Sequence, residues 1–236
     1  MKEEAAPTDV GRARSGRWDG EGDEMGDATG AAGPKATRVP GGPRPPTFDL
    51  SWVTAQLAVG GRFPLEAAEH LARELGIRHV VDLRVEECDD EKVLREHGIQ
   101  LLHLPTRDTC GVAASMLDEG VAWVNDKLDR GLNVYIHCEH GVGRSALLAL
   151  CVLVARGDTA LRALARAKGA REEISPSPEQ LHAFRAWLAM RRARTGEDLT
   201  IPDVEDLAWI AYRHLREPAC DDEPPLSSAD SENAWG

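Results

Sequence analysis

Residues 134–150 read VYIHCEHGVGRSALLAL. Val134, Tyr135 and Ile136 are β-branched or aromatic, Gly141 and Gly143 interrupt the next stretch, and a run rich in Ala and Leu follows. That order spells strand, loop, helix. In such a turn the backbone N–H groups converge on one point, and the N-terminus of the following helix adds positive potential there, which makes an anion site. Cys138 and Arg144 lie six positions apart in this loop. The field of an anion site favours the thiolate, the nucleophilic form of cysteine. Arg144 contributes a planar fork of donors suited to two oxygens of a tetrahedral oxyanion. These parts suit attack by sulfur on a bound phosphate monoester.

Outward from this stretch, strands and helices alternate. Pro64 opens a helical run from Leu65 that Gly76 closes, and His79–Leu83 (HVVDL) is short and apolar, as a buried parallel strand is. A charged helical stretch ends at Gly98; Ile99–Leu104 (IQLLHL) reads as a strand and Ser115–Asp129 as a helix. The Ser145–Ala155 helix has no polar face, which places it at the centre of the fold. Residues 159–168 and 179–193 are helical patterns, and Thr200–Arg216 (TIPDVEDLAWIAYRHLR) adds an amphipathic helix expected to pack back on the domain. The expected fold class is α/β, a single domain with a central, mostly parallel sheet flanked by helices.

His137-Cys138-x5-Arg144-Ser145, with Gly141 and Gly143 inside the loop, resembles the signature of the cysteine-based protein tyrosine phosphatase superfamily, in its compact dual-specificity branch. Leu57–Gly61 and Val80–Arg84 also resemble that family's first half. The resemblance implies that Cys138 attacks phosphorus and that Arg144, with the amides of Glu139, His140, Gly141, Val142, Gly143 and Arg144, holds the phosphoryl oxygens. It implies further that Ser145 supports the sulfur as a leaving group, while His137 points back into the protein and orders the loop. It calls for no cofactor, and no histidine, cysteine or carboxylate cluster has zinc spacing.

The same resemblance calls for an aspartic acid upstream to protonate the leaving oxygen. Asp108 meets it: Pro105-Thr106-Arg107-Asp108-Thr109-Cys110-Gly111 joins the Ile99 strand to the next helix. Taken alone, an aspartate there is a common turn residue. Asp118 is the fallback, inside the predicted helix. Gln180, after the Pro176–Pro178 turn, is a further candidate for orienting water, set against a solvated first-turn residue. Cys151, inside the apolar helix, reads as a small buried hydrophobe. Cys88 and Cys110 raise the question of a second thiol that traps an oxidised Cys138, against the plainer reading of two unpaired loop thiols. Three other readings stay open. One is a phosphate-binding or redox-thiol module without turnover. The others are a sulfurtransferase of the rhodanese type and a phosphatase of lipids or small molecules.

Composition bounds the rest. Residues 1–46 are dense in Gly, Ala, Pro and mixed charge, and 217–236 carry six acidic side chains and no Lys or Arg; both are expected to be disordered. The expected division is a catalytic domain over 47–195, an additional helix over 196–216, and these two tails. The start lacks the basic and apolar regions of a secretion signal, and no stretch reaches the roughly twenty apolar residues of a membrane span. Five cysteines without regular spacing fit a reducing cytoplasm. A net charge of −12 disfavours an anionic membrane surface and gives no ground for a nucleic acid partner. Glu139 at the head of the loop would repel a second phosphate if it faced the pocket. Both points lean toward a phosphoprotein or a small monophosphorylated substrate, and the resemblance, without the long insertions of the larger tyrosine phosphatases, implies a shallow pocket open to phosphotyrosine and to phosphoserine or phosphothreonine.

Overall fold

The structure, a computed structural model, describes residues 48–215. The tails expected over 1–46 and 217–236 lie outside the described residues. Five strands form one sheet: β1 (Leu50–Trp52), β2 (Leu57–Gly60), β3 (Ile77–Arg84), β4 (Gln100–Thr106) and β5 (Asn133–His137), in the order β1-β2-β5-β3-β4. β2, β5, β3 and β4 run parallel, and only the edge strand β1 pairs antiparallel, with β2.

The strands are apolar on both faces because helices cover both. Leu57, Val59, Val81, Val134 and Ile136 point into the larger core, while Ala58, Val80 and Tyr135 point into the smaller one. A register slip between Ile77 and His79 puts Ile77 on the same side as Val80, against the simple alternation of a regular strand. The smaller core takes α1 (Ala68–Arg73) and α2 (Glu91–Glu96). The larger takes α3 (Ala114–Asp129), α4 (Arg144–Ala155), α5 (Ala160–Ala170), α6 (Pro178–Thr195) and α7 (Val204–Ala211).

α4 is enclosed as its composition requires, with every residue from Arg144 to Val154 buried. The amphipathic C-terminal stretch forms a shorter helix than its pattern suggests. Leu207 and Ala211 are fully buried, and Leu215, inside the stretch expected to be helical, is exposed in a 3-10 turn over Arg213–Leu215. Parallel strands all end at one edge of a sheet, where ligands of open α/β folds bind. Here β5, β3 and β4 deliver three adjacent loops to that edge: 138–143, 85–90 and 107–113.

Candidate active site

The loop after β5 closes around the sulfur. Cys138 Sγ lies 3.3 Å from Ser145 Oγ and receives the Gly141 N–H at 3.3 Å. Gly141 adopts a φ of +70°, and a Cβ on it would lie 2.2 Å from the Gly60 carbonyl carbon, so the loop can seat against β2 only with glycine here. Two of the loop's carbonyls are tied outward by Arg171, whose Nε donates to Gly141 O and Nη2 to His140 O, both at 2.9 Å. A bidentate pair with Asp49 fixes that guanidinium. The pair also holds the Asp49 carboxyl below its usual range. With carbonyls facing outward, the N–H groups of the loop are free to face the sulfur.

Arg144 is buried at the first turn of α4. Its Nη1 and Nη2 each donate to the Glu86 carboxylate at 2.8 Å, and Nη1 also donates to Thr106 O at 2.9 Å. That fork–fork pairing lowers the Glu86 pKa to about 2. Arg144 Nε is buried without a partner among the described residues, a donor left over for a ligand oxygen. Asp108 Oδ1 lies 3.3 Å from Arg144 Nη2, with the Asp108 side chain 61% exposed. The predicted nucleophile, arginine and acid are therefore brought to one place, with Ser145 beside them.

His137 points back into the protein, as the resemblance implied. Its Nε2 is 3.0 Å from Asp89 Oδ2, and its ring is flanked by Phe63 and Tyr135. Asp82, Asp89 and His137 offer ligand atoms within 4.8 Å of one another. The Arg84 guanidinium, however, binds both carboxylates, with Nη2 3.0 Å from Asp82 Oδ2. A cation placed there would meet that guanidinium, so the cluster is an ion-pair network.

Several expectations need correction. Gln180 is not a solvated first-turn residue: it is 1% exposed, reciprocally capped with Ser177, and donates from Nε2 to Cys110 O at 3.3 Å. It stands over Gly143, where an added Cβ would lie 2.5 Å from Gln180 Oε1. Glu139 is ion-paired with Arg62 at 2.9 Å and lies 3.7 Å from Arg84, so Arg62 offsets the charge expected to repel a second phosphate. His140 is exposed at the rim and Val142 half-buried. Asp118 is held on α3 by Arg194 and the Trp187 indole N–H, pairings unlike those of an acid beside Arg144. Cys151, by contrast, is the small buried hydrophobe expected: it is fully buried in α4, and burial pushes its thiol up. Cys88 is exposed, and desolvation together with Asp82 and Asp89 raises its pKa, the reverse of a reactive thiol.

Sequence reading missed Glu86, Asp89 and Arg171. The sequence separations are 58 residues for Arg144–Glu86 and 122 for Arg171–Asp49. No local period marks such pairs.

The mouse protein named phosphatidylglycerophosphatase and protein-tyrosine phosphatase 1 is 27% identical over 149 residues, spanning 58% of this chain and 76% of its own. Its human counterpart is 26% identical over 151 residues, spanning 59% and 74%. Among solved structures, that of PTPMT1 superposes with a TM-score of 0.58 at 23% identity, over 62% of this chain and 98% of that one. Human DUSP28 superposes with a TM-score of 0.53 at 21% identity, over 64% and 97%. Both share the fold. A family model described as the Swiss Army Knife protein, DSP-PTPase phosphatase domain, matches residues 48–198, and the chain belongs to that phosphatase family.

Proposed function

We propose that this phosphatase is a metal-independent phosphate monoester hydrolase working through a phosphocysteine at Cys138. Its preferred substrate is phosphotyrosine in proteins, with phosphoserine and phosphothreonine also accepted. The observation that carries the reading is the meeting of four groups. Cys138 Sγ receives the Gly141 N–H and faces Ser145 Oγ, while Arg144, adjoining Ser145, holds Asp108 at 3.3 Å. In the first displacement the sulfur–phosphorus bond forms, the phosphorus–oxygen bond breaks, and Asp108 gives its proton to the leaving oxygen. In the second, water attacks phosphorus, the Asp108 carboxylate takes the water's proton, and the thiolate leaves with the Ser145 hydroxyl donating to it. The loop amides and Arg144 Nε bind charge that builds on the equatorial oxygens.

A second reading has its own support. The curated relatives are named for a lipid phosphomonoester as well as for phosphotyrosine, and the pairing of Glu139 with Arg62 removes one objection to a polyanionic substrate. The deciding experiment is hydrolysis in EDTA and reductant of three substrates: a phosphotyrosine peptide, a phosphoserine peptide and micellar phosphatidylglycerophosphate. Faster turnover of the tyrosine peptide, abolished by Cys138→Ser, supports the first reading. Faster turnover of the lipid replaces it with the second, and no turnover of any overturns both.

A further inference from the structure

The family match stops at residue 198, yet the chain runs on into α7 and turns back toward the site. Just past α7, Tyr212 Oη donates to Pro176 O at 2.6 Å. Lys168 Nζ, 1% exposed on α5, donates to Ile174 O at 2.8 Å and lies 2.5 Å from His214 Nδ1. A buried ammonium needs such acceptors, and one of them comes from the C-terminal turn.

The segment held this way, residues 174–177, touches both working loops. Ser175 N–H donates to Val142 O of the nucleophile loop at 2.9 Å. Ser177 Oγ donates to Thr109 O, next to Asp108, and Gln180, capped by Ser177, reaches Cys110 O. Thr109 sits at a φ of 61°, a conformation that β-branched residues avoid. The bond from Ser177 lands on this residue and so helps to hold Asp108 where it is.

We infer that the C-terminal turn positions the acid loop against the nucleophile loop: Tyr212 and the Lys168–His214 contact hold residues 174–177 from behind, and Ser175 and Ser177 set Thr109 relative to Val142. Tyr212, Lys168 and His214 are positioning residues, acting through 174–177. The inference rests on the proposed role of Asp108 as proton donor.

Tyr212→Phe removes one hydrogen bond and keeps the ring in the core. The comparison is kcat on phenyl phosphate, whose leaving group needs a proton, against para-nitrophenyl phosphate, whose leaving group does not. Tyr212→Phe is expected to lower kcat on phenyl phosphate by about five- to tenfold and on para-nitrophenyl phosphate by about twofold or less, with KM unchanged. His214→Ala should act the same way, with His214→Gln, which restores an acceptor, recovering most of the loss. A role confined to folding would lower melting temperature and leave the ratio of the two rates alone. Hydrogen exchange supplies a readout independent of turnover: amides of residues 107–111 should exchange faster in Tyr212→Phe. An unchanged rate ratio or unchanged exchange overturns the inference. Wild-type protein inactive on both substrates overturns the phosphatase reading instead, and exchange then still decides whether the C-terminal turn holds the acid loop.

Discussion

Replacing Arg171 by methionine tests what keeps the nucleophile loop in its anion-binding form. The Arg171 side chain is 3% exposed and donates to the carbonyls of Gly141 and His140. Arg171→Met keeps the apolar stem and removes every donor. Gly141 is buried, so its stranded carbonyl carries a full desolvation cost of about 1–3 kcal/mol. His140 is exposed, and water can serve its carbonyl at a smaller cost. Asp49, whose side chain is 61% exposed, regains water when its partner goes, so that pair adds little. The stability loss should be about 2–3 kcal/mol, read as a lower urea midpoint at unchanged slope. Activity should fall further than stability, because a carbonyl released from Arg171 is free to turn toward the bound phosphate. A loss of about tenfold to a hundredfold in kcat, on fully folded protein, is expected. Arg171→Lys restores one donor and should fall between. If Arg171→Met loses stability but its folded fraction keeps wild-type kcat, the carbonyls do not depend on Arg171 and the reasoning is wrong.

Three further outcomes are expected. Glu86→Gln leaves Arg144 without its carboxylate partner, and kcat/KM on para-nitrophenyl phosphate should drop by about tenfold. Because Arg144 holds Glu86 down to about 2, the wild-type pH profile should show no limb from Glu86 above pH 4. Gly143→Ala would set a Cβ 2.5 Å from Gln180 Oε1, driving that amide off its Ser177 and Cys110 contacts. In a double-mutant cycle Gln180→Ala should therefore relieve part of the Gly143→Ala loss, and strict additivity would show that the two do not meet. His79 is 7% exposed, its Nδ1 has no partner among the described residues, and burial lowers its pKa below 6.5. A depressed folded-state value means that its share of stability is present above pH 6.5 and is lost as the pH falls through the folded value. The melting temperature should drop between pH 6.5 and 5, and less steeply in His79→Phe; parallel curves would clear His79.

Legibility followed distance along the chain. Cys138, Arg144 and Ser145 were readable because one strand–loop–helix carries all three, and the order of residue types alone implies an anion site. Asp108 was readable only once a resemblance supplied the need for an acid at that distance. β1 was missed: its three residues are all half-buried and show no alternation. Gln180 had a local signal, the Ser177-x-x-Gln180 capping pattern, but its burial depends on Gly143 lacking a side chain on a different element. Glu86 and Arg171 had no local signal, since each is defined by a partner far away in sequence.

The fold class nonetheless already entailed that such partners exist. A parallel sheet sends every strand end to one edge, so a nucleophile loop leaving β5 must have the loops leaving β3 and β4 near it. The buried guanidinium of Arg144 needs acceptors, and these neighbouring strands supply them: Glu86 follows β3, and Thr106 closes β4 two residues before Asp108. The same arginine whose Nε has no partner among the described residues thus ties the strand that leads to Asp108 to the Cys138 loop through Nη1. Loss of either acceptor should therefore disturb both oxyanion binding and proton donation. Arg144 is thus the point at which the three loops meet, with Glu86 from one, Asp108 from another and its own helix continuing the third.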